Sequence, residues 1–167
     1  MQLIEFDPGQ VRAHYNRSPF QLRHNLASHP QMQFDALRAL ALRMPRHMVL
    51  HRHAVVPVDT DFDHTHLNHP NALTLEQTLD DIVGCGGYVV INTPEADPGF
   101  RPFFEDVLAE IRAQVEPIDS SVYWQATYVF LSAQGSVTPY HMDREMNFLM
   151  QVRGTKDVLL WDPDVMS

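Results

Sequence analysis

Phe100, Phe103, Phe104, Val107, Leu108, Ile111 and Val115 recur every three or four residues in "FRPFFEDVLAEIRAQV". That spacing places them on one stripe of an α-helix, which must lie against an apolar partner. The pattern predicts a helix from about Pro98 to Val115, with Asp97 as its N-cap and Pro117 closing it. Arg101, Glu105, Asp106, Glu110 and Arg112 then form the solvated face. The chain has 167 residues, 44% of them hydrophobic, enough for one core: a single domain, or a domain and a piece of another.

Other elements read in the same way. In "SHPQMQFDALRALALRM", Ser28 is a candidate N-cap, Pro30 falls in the first turn, and Met32 to Met44 carry an apolar stripe that Pro45 ends. "HMVLHRHAVVPV" reads as a strand, followed by the loop "DTDFDHTHLNHPN". Thr74 and Gln77 make a capping box ahead of Leu75, Leu79, Ile82 and Val83, and Gly84, Gly86 and Gly87 stop that helix. "YVVIN" reads as a short buried strand. From Ser121 onward "VYWQATYVFLSA", "MNFLMQV" and "DVLLWD" are β-type runs separated by turns at Gly135 and Gly154, with Trp124 and Trp161 as strand-packing aromatics. The expected fold class is α+β: residues 1–120 a mainly helical front, and 121–167 the beginning of an antiparallel β unit.

The formal net charge of −9 argues against a partner recognised through its phosphate backbone, so no nucleic acid is expected. One cysteine, Cys85, excludes an internal disulfide framework, and its apolar and glycine neighbours mark it as a small buried residue. No apolar run approaches the roughly 18 residues of a membrane span, and the N-terminus lacks the pattern of a signal peptide. The expectation is a cytoplasmic protein without membrane contact. Ten histidines are many for this length. His51 and His53 would share a strand face, and Asp61, Asp63, His64 and His66 lie in one loop. No closed zinc spacing is present, and the loop reads first as a solvated one.

The chemistry concentrates in "SVTPYHMDREMNFLMQVRGTKDVLLWDP". His141 and Asp143, two residues apart, point to the same side of an extended chain. A neutral imidazole and a carboxylate so placed are two thirds of the triad that holds non-haem Fe(II). Thr138-Pro139 precede them; Asn147-Phe148, Gln151, Gly154 and Lys156 follow.

This pattern, T-P-x-H-x-D-x-x-x-N-F-x-x-Q-x-x-G-x-K, resembles the metal-binding stretch of Jumonji-C type 2-oxoglutarate oxygenases of the cupin superfamily. The resemblance is to the factor-inhibiting-HIF-like group and bacterial cupin-like proteins, ungapped from Phe130 to Pro163. It implies the first strands of a cupin double-stranded β-helix (jelly roll), incomplete in this chain. It implies His141 and Asp143 as Fe(II) ligands. It implies Lys156 and Thr138 as partners of the distal carboxylate of 2-oxoglutarate, Asn147 lining that site, and Tyr88 reaching the same carboxylate. The activity implied is hydroxylation or demethylation of a protein side chain or a small molecule, with a homodimer allowed. The family's second histidine lies many residues beyond the H-x-D pair, and no histidine follows His141 here. Three readings stay open: a fragment of a longer oxygenase, an inactive relative serving as a binding or regulatory module, or a ligand supplied by an upstream histidine or another subunit. A cupin enzyme using a different divalent metal is a further alternative.

Overall fold

The computed structural model describes residues 2–122 and 124–161. In chain order the elements are β1 (Ile4–Glu5), α1 (Pro8–His14), β2 (Arg23–His24), α2 (Phe34–Arg43), β3 (Val49–His53), α3 (Thr65–Asn68), α4 (Leu75–Asp80), β4 (Gly87–Asn92), α5 (Arg101–Val115) and β5 (Tyr128–Ser132). The architecture is mixed α and β with two small antiparallel sheets: β1 pairs with β2, and β3-β4-β5 form the larger one. β3 and β4 come from residues before 120 and β5 from beyond it, so one sheet joins the two halves of the sequence.

The stripe on α5 behaves as its spacing requires. Phe103, Phe104, Val107 and Val115 are buried, as is Phe100 at the cap. The three phenylalanines and Val107 meet Val89 and Ile91 of β4, Val129 of β5, Leu37, Leu40 and Ala41 of α2, and Leu75 and Leu79 of α4 in one apolar cluster, while Val115 packs with Val11 and Tyr15. The helix starts at Arg101, later than expected, because Asp97 organises the turn before it. The Asp97 carbonyl accepts from the Phe100 and Arg101 amides, and its carboxylate accepts from Gly99 and pairs with Arg43. Glu110 is not part of the solvated face: its carboxylate accepts three hydrogen bonds of 2.8–3.1 Å from the backbone amides of Leu3 and Ile4, which ties β1 to α5.

The capping box of α4 forms as expected. Gln77 N donates to Thr74 Oγ1 at 3.1 Å, and Thr74 N donates to Gln77 Oε1 at 3.0 Å. Gly86 then takes φ +60° in the turn into β4, a conformation that favours glycine. The α2 expectation is corrected. Ser28 Oγ bonds back to the Asn25 carbonyl, Pro30–Met32 form a 3-10 turn, and Gln33 is extended, so the helix begins only at Phe34. The strand expected over 47–58 is confined to Val49–His53.

Two β-type runs are also corrected. Met146–Val152 and Asp157–Trp161 are not strands among the described residues; Tyr123 and Asp162, at the edges of such runs, lie outside them. A strand needs a neighbour to satisfy its backbone, and among the described residues β5 pairs only with β4. Met150 and Val152 instead pack against the main core, and Phe148 sets its edge against Phe6 and Phe20. Trp124 and Trp161 are exposed, with Trp161 edge-on to Tyr140. No helix among the described residues is long and apolar enough to cross a membrane.

Candidate metal and anion site

The stretch carrying Thr138 to Asp143 is irregular, but two backbone bonds pin it along the segment after β3. Val137 N donates to Ala54 O and Tyr140 N to Val58 O, both at 2.9 Å. Pro139 between them is fully buried. His141 Nδ1 lies 2.7 Å from the Pro139 carbonyl. A carbonyl only accepts, so Nδ1 carries the hydrogen and Nε2 keeps its lone pair. Nε2 faces Asp143 Oδ2 at 3.6 Å. The Phe62 ring stacks on the imidazole, centroids 3.8 Å apart and planes 7° from parallel. The Asn147 amide donates to Asp143 Oδ2.

This pair fits part of an iron site. His141 Nε2 and Asp143 Oδ2, 3.6 Å apart, are the two donors that would hold the metal, and a histidine whose other nitrogen is held by a carbonyl is the usual ligand arrangement. The third donor is not supplied: among the described residues no group of three His, Cys, Asp or Glu side chains is placed to hold a metal ion. Three upstream histidines are engaged elsewhere. His64 pairs with Asp61 at 2.7 Å, a contact that raises the histidine pKa and lowers that of the aspartate. His51 Nε2 lies 2.9 Å from the Leu73 carbonyl and His69 Nε2 3.3 Å from Thr60 Oγ1.

A second group gathers beside the first. Lys156 Nζ donates to Thr138 Oγ1 at 3.2 Å. The phenol of Tyr88, buried on β4, lies close enough to Thr138 for that hydroxyl to influence its ionisation. Three residues that lie far apart in sequence thus meet, whereas Asn147 meets Asp143. Burial raises the Tyr88 pKa, opposed by Thr138 and by the Arg52 guanidinium. Desolvation lowers the Lys156 ammonium.

Arg52 escaped the sequence reading. It sits on β3 directly opposite Tyr88, is only 5% exposed, and places its guanidinium 4.0 Å from the centroid of the Tyr88 ring. It donates to the carbonyls of His53 at 2.5 Å and Val137 at 3.2 Å. Burial lowers its pKa and Tyr88 partly offsets this. Among the described residues neither Arg52 nor Lys156 forms an ion pair with a carboxylate. The site therefore places two metal-type donors next to hydroxyls and two cations that lack a carboxylate partner among the described residues. No family model, curated protein or solved structure matches the chain.

Proposed function

We propose that this chain carries the helical front and the metal-binding start of an Fe(II)- and 2-oxoglutarate-dependent oxygenase of the Jumonji-C, cupin-like type. The observation that supports it best is the gathering of Tyr88 and Lys156 at Thr138, three residues ahead of His141, whose Nε2 faces Asp143. The antiparallel pairing of β4 with β5 suits the opening of a cupin double-stranded β-helix.

Fe(II) would be held by His141 and Asp143, and with 2-oxoglutarate it supplies oxygen activation and cleavage of a C–H bond. The protein's own residues orient. The Pro139 carbonyl fixes the His141 tautomer, and Phe62 fixes the ring plane. Asn147 steadies Asp143 Oδ2. Lys156 gives the distal carboxylate a point charge, while the Thr138 and Tyr88 hydroxyls donate to it. The substrate is a protein side chain or a small molecule.

The test is an anaerobic titration of Fe(II) with 2-oxoglutarate, following the visible charge-transfer band of the chelate. A band should appear in the wild type and vanish in His141→Ala and Asp143→Ala. Lys156→Met should need on the order of 10–100-fold more 2-oxoglutarate, the loss of one or two charge-assisted hydrogen bonds. A wild type without the band, or a band that survives His141→Ala, ends this reading. A second reading, a non-catalytic binding module, draws on the absence of a third ligand among the described residues. It is favoured if the chelate forms but oxygen yields no succinate.

A further inference from the structure

We propose that Arg52 is a positioning residue of the anion pocket: it holds the Tyr88 phenol toward Thr138 and Lys156, and its buried charge, unmatched by an acid among the described residues, is matched by the carboxylate of the ligand. The proposal deepens the reading above and rests on it for the ligand's class, a small dicarboxylate.

A buried guanidinium ordinarily sits against a carboxylate, since an uncompensated charge in a low-dielectric interior is unfavourable. Arg52 has no such partner among the described residues. Its donors go to two main-chain carbonyls, His53 O on its own strand and Val137 O one residue before Thr138. Its plane lies over Tyr88. These contacts satisfy hydrogen bonds and leave the positive charge in place. The carbonyls lock the fork so that it joins β3, the Tyr88 ring on β4 and the tract that carries Thr138. Lys156, the other cation, donates to the Thr138 hydroxyl. An anion at the Tyr88 and Thr138 hydroxyls is therefore flanked by two positive groups. Two cations thus stand near this point although the whole chain carries a net charge of −9.

The experiment measures binding of succinate and of inorganic phosphate to the metal-free full chain by calorimetry. The wild type should bind both. Arg52→Met should weaken succinate about tenfold, and Arg52→Lys, which keeps a cation without the fork, should recover most of that loss. A purely structural arginine would change thermal unfolding without such charge-dependent rescue. Arg52→Met binding succinate as the wild type does, or a wild type that binds neither anion, overturns the proposal. Should Arg52→Met fail to fold, Tyr88→Phe and Arg52→Gln, which keeps a donor without the charge, are combined. Losses that overlap support action through the phenol, and losses that simply multiply overturn it. Arg52-dependent succinate binding without an iron chelate band would reject the oxygenase reading and leave the Arg52 assignment standing.

Discussion

At the scale of single residues, chemistry is decided by which atom is left over. His141 spends Nδ1 on the Pro139 carbonyl, and its ring is braced by Phe62 from a loop some eighty residues earlier. Phe62→Ala should leave both donors present but free the ring, and weaken Mn(II) or Fe(II) binding on the order of tenfold in an equilibrium titration, well short of His141→Ala. The H-x-D pair and the spacing to Lys156 were legible because they are local. Arg52 was not, since its role depends on standing opposite Tyr88 in the β3-β4 register, and register follows from the fold. Asp97 is a second residue whose value is contextual. The Arg43 guanidinium, with amides of the following turn, holds its carboxyl below the ordinary aspartate range of about 3.9. A depressed folded pKa contributes stability that is present above the unfolded value and lost as pH falls through the folded one. Arg43 is partly solvated, so Arg43→Ala should cost only about 0.5–1 kcal/mol near pH 6. That difference should shrink in urea melts taken below about pH 3.5.

At the scale of elements, signals succeeded where side chain and backbone agree within a few residues. The Thr74–Gln77 box is the clearest case, and Thr74→Ala should lower stability by about 1 kcal/mol in denaturant unfolding, with Thr74→Ser close to neutral. The start of α2 was misplaced because Ser28 found an alternative carbonyl acceptor and Gln33 reached back to the carbonyls of Ala27 and His29, which holds the chain extended there. Glu110 was read as solvated from its helical position, yet it accepts from the backbone amides of Leu3 and Ile4 where β1 begins. Composition also suggested strands at Met146–Val152 and Asp157–Trp161. β-propensity describes a surface that fits between neighbours, and those neighbours are not present among the described residues.

At the scale of the whole molecule, one apolar cluster links the front to the sheet. Ile91, fully buried at its centre, is opposite Val49 and Val129. Ile91→Ala should destabilise by about 2–5 kcal/mol, read as a lower midpoint in urea with an unchanged slope. The candidate site is drawn from β3, β4 and the irregular tract after β5, so Arg52, Tyr88, Thr138 and Lys156 come together only when all three are in place. A ligand gripping that relay can bind the native state alone. By mass action, a hundredfold excess over its dissociation constant adds about 2.7 kcal/mol to stability. Succinate would then act as a removable staple between sheet and tract, slowing proteolysis near Gly154 and raising the melting temperature in proportion to the logarithm of its concentration.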